Sequence, residues 1–541
     1  MDTDTSAAVR TDSQPVATDV DGQSASDQDT KITGWRVPRS WPLLPVLGVQ
    51  AVLSLRLVRA DTAFQGEALY LWAGHLQWAH WLHGVAIPPF PYYFSGAPVI
   101  YPPVGALADS AGGLAGARIL SLVFMLGATV LLWSTTRRRY GQRSAFFAAA
   151  LFATLGPTLH LGVFATYDAM ALFLVALAAW LVLGAGERGD ARTRMIAAGA
   201  ALALANATSY PTVLFDVLII VLTVLAALTG PGGRVALARV TILITTVVVL
   251  LTGGLVLGGT VYLTGFKRTI LAPVAHTSSP LSVLSHSWYW AGLLVVLAAS
   301  GVLISCLRRE GRTQSWLLAV LTLAAILGPA EQAWLHTAAL LNVHVGLGAW
   351  FAAIAAGYAA DRFIAAAPAG QQQAFTSAAC VVALVFPVFL GATQSWAFAT
   401  SWPNAKSFIA ILRPLADHSK GPLLVEDPSI AKYYLPSGSQ WRRWSSTRNI
   451  VLPSGASTGG PAATAGIVAA GNAATFASYI ARGYFSYVAL NFTDTTALDH
   501  GLATELHRNP NYHTIAVVPY GIEVKPVGVG TYVIWKYEPS K

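Results

Sequence analysis

Runs of about fifteen or more apolar residues recur along the first 396 positions of this 541-residue chain, and most are long enough to cross a hydrocarbon core roughly 30 Å thick. A segment in lipid must satisfy its backbone N–H and C=O groups internally, which leaves only helices and closed barrels. A barrel strand is a segment of about ten residues alternating apolar and polar. Val240 to Val256 and Leu293 to Ile304 are instead apolar on almost every side, so the runs are read as helices. Composition agrees: 54% of residues are hydrophobic, 11% are charged and the mean hydropathy is +0.54, against about 25% charged in soluble domains.

The runs fall at 42–58, 116–135, 144–162, 169–186, 195–209, 212–229, 240–263, 290–307, 314–329, 345–360 and 375–396, about eleven spans in all. The net charge of +9 comes from 34 Lys plus Arg against 25 Asp plus Glu, and the basic residues occupy alternate loops. One set of loops holds Arg137, Arg138, Arg139 and Arg143, then Arg188, Arg192 and Arg194, then Arg234 and Arg239, then Arg308, Arg309 and Arg312, then Arg362. The other holds only Arg59, Arg118, Lys267 and Arg268. By the positive-inside rule the first set is cytoplasmic, as is the N-terminus. The charge therefore orients the chain in a membrane, and no nucleic-acid partner is inferred from it. Neither a disulfide framework nor a thiolate metal site is inferred from the two cysteines, Cys306 and Cys380, which lie within or beside apolar runs.

Residues 1–34 are polar and acidic with no apolar core and read as a disordered cytoplasmic tail. Residues 35–401 form the membrane domain, with a long first outer loop at 59–115. Residues 402–541 lose the spanning runs and gain turn formers such as Pro453-Ser454-Gly455 and Gly459-Gly460-Pro461. A helix over Asn404 to Asp417 and strands at Leu423 to Val425, Tyr484 to Asn491, His513 to Val518 and Thr531 to Tyr537 make this a small extracytoplasmic α/β domain. The fold class is thus an α-helical polytopic membrane protein with an appended outer α/β domain.

Ionisable groups in or beside spans cost several kcal/mol unless paired or wet, which makes them functional candidates. The topology gathers them at the outer face: Asp61 and Glu67 after the first span, Asp168 at the mouth of the fourth, Asp216 in the sixth, and Glu331, His336 and His344 in the last outer loop. The inner-side acids Glu187, Asp190, Glu310 and Asp361 lie beside arginines and read as ordinary loop charges. The stretch from Asp61 through Glu67, Tyr70, Trp72, His75, Trp78, His80, Trp81 and His83 is too polar and aromatic to span and suits a helix in the interface. Lys267, Arg268, Arg59 and Arg118 could hold a phosphate through charge-assisted bonds, or simply reach lipid headgroups. Asp168 is either a helix cap or a second carboxylate of the same cavity.

Several of these segments, in order and spacing, resemble a known family. Glu67-Ala-Leu-Tyr70, Tyr101-Pro-Pro103, Gly116-Ala-Arg118, the Arg-rich turn ending Tyr140-Gly141, and Ala165-Thr-Tyr-Asp168 are similar to the integral-membrane glycosyltransferases of the C-type fold. More narrowly, they resemble bacterial members of family 39, relatives of protein mannosyltransferases and aminoarabinose transferases. The likeness runs over roughly residues 42 to 396.

The resemblance implies a membrane transferase that moves a sugar from a polyprenyl-phosphate donor to an extracytoplasmic glycan, lipid or protein, with a carboxylate as general base. Glu67, Asp61 and Asp168 are then the catalytic candidates. Tyr70, His75, Tyr101, Arg118, Lys267, Arg268, His336 and His344 are the substrate-binding ones. No cofactor is assigned, a divalent cation being left open. The family usually carries an Asp-Glu pair in the first loop, with the Asp as base, but here Gly66 precedes Glu67. Three readings stay open: Glu67 takes the role and ranks first, Asp61 substitutes and ranks close behind, or the protein only binds a lipid-linked sugar. The rival from another class is a lipid or solute transporter, which would place its charges near the midplane on broken helices.

Overall fold

The computed structural model describes residues 41–92, 94, 96–185, 191–228, 233–271, 277–451, 467–469, 473–520 and 530–539. The tail at 1–34, the loop charges Glu187, Arg188 and Asp190, and the turn formers at 453–455 and 459–461 lie outside the described residues.

Each of the eleven apolar runs falls on one or two helices among the described residues. In chain order the helices are α1 (Leu43–Leu55), α2 (Gln65–His83), α3 (Tyr101–Tyr140), α4 (Gln142–Ala153), α5 (Gly156–Leu161), α6 (Asp168–Leu183) and α7 (Ala191–Thr208). They continue with α8 (Asp216–Leu228), α9 (Gly233–Leu271), α10 (Pro280–Leu307), α11 (Arg312–Trp334), α12 (Leu341–Ala366), α13 (Gln371–Ala383) and α14 (Val385–Ala399). Among the described residues seven helical stretches are both long and apolar enough to cross a membrane. The runs at 42–58, 144–162, 169–186 and 195–209 correspond to the shorter α1, α4 with α5, α6 and α7.

The bundle is built around α12, buried along nearly all its length, while α9 and the α13–α14 pair expose theirs. What lets α12 sit inside is its small-residue surface, as lipid-embedded helices pack by close backbone approach. A Cβ on Gly357 would stand 2.3 Å from the Ser144 carbonyl oxygen, and one on Gly348 would stand 2.4 Å from that of Ala324. At one end of the bundle the loop charges neutralise each other: Arg143 Nε lies 2.6 Å from Asp361 and Arg362 Nε lies 3.3 Å from Glu310. At the other end α3 bends at Gly113, whose φ of +62° suits glycine. The bend separates the spanning part of α3 from an arm, Tyr101 to Ala111, that packs along α2.

After α14 the chain forms α15 (Lys406–His418), α16 (Ser429–Tyr434), α17 (Ala473–Ala481) and α18 (Thr496–Arg508). The strands are β1 (Leu423–Val425), β2 (Trp444–Ser445), β3 (Asn449–Val451), β4 (Ile467–Ala469), β5 (Tyr487–Leu490), β6 (Tyr512–Tyr520) and β7 (Gly530–Tyr537). Five of them make one sheet in the order β2-β1-β5-β7-β6, parallel across β2-β1-β5 and antiparallel from β5 onward, and β3 pairs with β4. Side chains alternate across a strand. Leu423, Val425, Tyr487, Ala489 and Ile534 therefore pack with Phe408 and Leu412 of α15, whereas Leu424, Val488, Leu490 and Trp535 pack with Ile480 of α17 and Leu502 of α18. Both faces are covered, as a sheet with a parallel half requires.

Candidate functional site

The site begins where α1 gives way to α2. Glu67 stands in the first turn of α2, and its Oε2 accepts the Phe64 N–H at 2.9 Å, the acidic half of a capping box. The same oxygen accepts Arg118 Nη2 at 2.7 Å, while Oε1 accepts Arg118 Nε at 2.9 Å and the Ala165 N–H at 2.8 Å. An ionised carboxylate offers about four lone-pair positions, and all are filled. Arg118 is equally spent. Its Nη1 donates to the carbonyls of Val58 at 2.9 Å and Asp61 at 3.0 Å, and its Nη2 donates to that of Thr62 at 3.2 Å. Both side chains are buried, Glu67 at 0% exposure and Arg118 at 2%. The pair thus joins the α1–α2 loop, α2, α3 and the segment before α6 through groups with no bonding capacity left for a ligand.

Asp61 differs in kind. Its Oδ1 accepts the Thr62 N–H at 2.6 Å and Asn404 Nδ2 at 2.8 Å, but its Oδ2 has no hydrogen bond among the described residues. The side chain is half-buried. Burial pushes its pKa above the ordinary carboxylate range, against the opposing effect of the Thr62 bonds, Arg118 and Asn404.

Asp168 opens α6 and is buried. Thr166 Oγ1 donates to its Oδ2 at 2.6 Å, and Oδ1 is without a partner among the described residues. Tyr101, buried at the start of α3, lies within electrostatic range of Glu67, Asp168 and Asp109. His344 is buried with its Nδ1 3.0 Å from Glu331. His336 is exposed, and its Nδ1–H donates to the Trp334 carbonyl at 3.1 Å. The two histidines are therefore on different elements. Asp216 accepts Asn206 Nδ2 at 2.8 Å, a bond between α7 and α8.

Tyr70 packs its ring 5.0 Å from that of Phe94 and 4.9 Å from that of Tyr167. Lys267 and Arg268 are exposed near the end of α9, which meets the first loop where Thr269 Oγ1 donates to the Phe94 carbonyl at 3.3 Å. The Arg268 guanidinium lies 5.9 Å from the Tyr92 ring centre. Arg268 thus borders the first loop, and both cations lie within α9, which runs on to Leu271, and not in the outer loop where the sequence reading put them.

Sequence reasoning missed Asp109, Tyr433 and Tyr434. Asp109 Oδ2 lies 2.6 Å from His75 Nε2, and its Oδ1 accepts the Tyr433 hydroxyl at 2.6 Å. The neighbouring carboxylate and burial hold the Tyr433 hydroxyl protonated, burial being the larger cause. Tyr434 takes the Ala63 N–H on its hydroxyl at 2.8 Å, Trp72 Nε1 donates to the Gly438 carbonyl at 2.9 Å, and Lys432 Nζ lies 4.7 Å over the Trp72 ring. The region after α14 is therefore bonded into the first loop. An Asp in an apolar arm of α3 was the one available signal. Among the described residues no group of three or more His, Cys, Asp or Glu side chains could hold a metal ion.

Comparison with known proteins agrees with this architecture. The family model described as dolichyl-phosphate-mannose-protein mannosyltransferase matches residues 107–257. No curated protein matches the sequence. Among solved structures, ArnT from Cupriavidus metallidurans bound to undecaprenyl phosphate superimposes with a TM-score of 0.60 at 15% identity, over 92% of this chain and 98% of that one. The oligosaccharyltransferase AglB from Archaeoglobus fulgidus, in complex with an inhibitory peptide and a dolichol-phosphate, gives 0.53 at 13% identity, over 91% of this chain and 74% of that one. The arabinofuranosyltransferase AftD from Mycobacteria gives 0.51 at 14% identity, over 93% of this chain but 42% of that one. What these chains share at such identities is the fold, and it is the C-type fold of integral-membrane glycosyltransferases.

Proposed function

We propose that this chain, which has the C-type glycosyltransferase fold, transfers a sugar from a polyprenyl-phosphate donor to an acceptor hydroxyl, with Asp61 as the general base. The observation that carries the reading is the convergence of Asp61, Glu67, Asp168 and Tyr101 at the end of the bundle away from the Arg143–Asp361 and Arg362–Glu310 pairs. A transporter would spread such groups toward the midplane. In the transfer, Asp61 Oδ2 takes the hydroxyl proton as the acceptor oxygen bonds to the anomeric carbon. The bond from that carbon to the phosphate oxygen breaks, and the lipid phosphate leaves with the electron pair. Lys267 and Arg268 are the cations we assign to that phosphate, because they are exposed beside the first loop while Arg118 is fully bonded within the protein. Glu67, the first-ranked base from sequence, is assigned with Arg118 to positioning. The excess of arginine at the opposite end supports an outward-facing site with the region after α14 outside the cell membrane.

Gly66 favours a second reading, in which the protein binds the lipid-linked sugar without transferring it. The resemblance expects a carboxylate there, and a Cβ on Gly66 would meet only the Phe64 ring at 3.5 Å and the Tyr70 ring at 3.8 Å. Room for a side chain is present.

The two readings separate in one experiment. Purified protein in lipid is incubated with polyprenyl-phosphate sugars, and release of the lipid phosphate is followed. Release that Asp61→Asn abolishes supports transfer by Asp61. Saturable donor binding with no release supports the binding-protein reading.

A further inference from the structure

We propose that the cleft between α15 and Tyr434 is a binding site for the headgroup of an anionic glycerophospholipid, next to the Asp61 carboxylate through their shared neighbour Thr62 but built on cations, Lys406 and Arg413, other than those assigned to the donor phosphate. The cleft has a volume of about 260 Å³ and is lined by Thr62, Lys406, Ile409, Arg413 and Tyr434, among others. Lys406 and Arg413 are seven positions apart in α15, two helical turns, and so rise from one face. The opposite face, Phe408, Leu412 and Ala416, is buried against the sheet.

Two observations point to a phosphate. Neither cation forms an ion pair among the described residues, and Lys406 Nζ has no hydrogen-bond partner among them. Arg413 gives only its Nη2 to the Tyr434 carbonyl at 3.2 Å, which orients the guanidinium and leaves its other donors available. Two unpaired cations over a wall of aliphatic carbon fit an anion that carries apolar chains.

The place in the fold supplies the lipid. Thr62 follows the end of α1 by seven residues, and Lys406 follows the end of α14 by the same number. The two exits are tied together: Trp402 Nε1 donates to the Thr62 carbonyl at 2.9 Å, and the Ala405 N–H donates to Thr62 Oγ1 at 2.9 Å. The cleft therefore opens beside the exits of two apolar helices, where we infer the lipid headgroups to lie.

The test uses the full chain in detergent with dioleoyl phosphatidylglycerol, dioleoyl phosphatidylcholine and undecaprenyl phosphate, singly and in competition, and native mass spectrometry reads the lipid retained. A basic residue near a membrane surface is worth about a fivefold gain in binding an anionic lipid. Wild type should retain phosphatidylglycerol over phosphatidylcholine. Lys406→Gln alone should lower that preference about fivefold, and Lys406→Gln with Arg413→Gln about thirtyfold. Because the Lys406 side chain has no partner among the described residues, the single variant remains informative even if loss of Arg413 loosens α16. Equal retention of the two lipids by wild type, an unchanged preference in Lys406→Gln, or retention of undecaprenyl phosphate in place of phosphatidylglycerol would overturn the proposal.

Discussion

Arg118 and Glu67 saturate each other: two hydrogen bonds of 2.7 and 2.9 Å join them, and every remaining donor and acceptor of the pair is bonded to backbone. A buried ion pair stabilises only when such additional bonds offset desolvation, and removing one partner leaves a buried charge uncompensated.

Glu67→Ala should therefore destabilise the protein by about 3–5 kcal/mol, read as a fall in thermal midpoint in one detergent, with loss of function following loss of fold. Glu67→Gln should fall between wild type and Glu67→Ala. A Glu67→Gln protein that melts like wild type and loses turnover alone would make Glu67 the base and not the clamp.

Asp61→Asn should behave in the opposite way, keeping the thermal midpoint while lowering transfer by about 10²–10⁴-fold. Asp61 must be ionised to accept a proton, so the rate should fall as pH falls through its pKa. Burial raises that pKa above the ordinary aspartate value, which puts the acid limb of the pH–rate profile higher than an exposed aspartate would. Asn404→Ala removes a bond to the charged form and should move the limb higher still. An acid limb that stays fixed in Asn404→Ala would count against Asp61.

Gly66→Asp should be tolerated, because the nearest atoms to a new Cβ lie at ordinary contact distance. If the natural chain only binds donor, the variant should gain release of lipid phosphate. If Asp61 already serves as base, Gly66→Asp combined with Asp61→Asn should recover part of the activity that Asp61→Asn loses.

Tyr433→Phe deletes one hydrogen bond to Asp109 and leaves the carboxylate with His75. The expected cost is about 1–3 kcal/mol, localised to the contact of α16 with α2 and α3. Hydrogen exchange over residues 429–434 should rise, with exchange in α12 unchanged.

The helical membrane class and the helices' positions were legible in the chain, since an apolar run longer than a bilayer has few folded alternatives. The appended α/β region was legible at β1, β5, β6, β7 and α15, whose residues alternate or repeat with clear period. The two-residue β2 and the β3–β4 pair gave too short a pattern. At the site, Asp61, Glu67, Asp168 and Arg118 were named from sequence because charge in an apolar context stands out. Asp109 was passed over, and Tyr433 and Tyr434 sit in the α/β region, more than 300 positions away from it.

By itself the sequence determined that this is a polytopic helical membrane protein with arginine-rich loops at one end and a gathering of carboxylates at the other. Those properties depend on local composition, and the solvent, lipid or water, reads them residue by residue. Only the tertiary structure decided which carboxylate oxygens keep a lone pair unfilled among the described residues: those of Asp61 and Asp168, and not those of Glu67. Glu67 and Asp61 are six positions apart in one polar loop, and nothing in their neighbours distinguishes them. The distinction comes from Arg118, Ala165 and Asn404, supplied by other segments. Whether an acid is a clamp or a proton acceptor depends on which of its lone pairs the rest of the chain has filled.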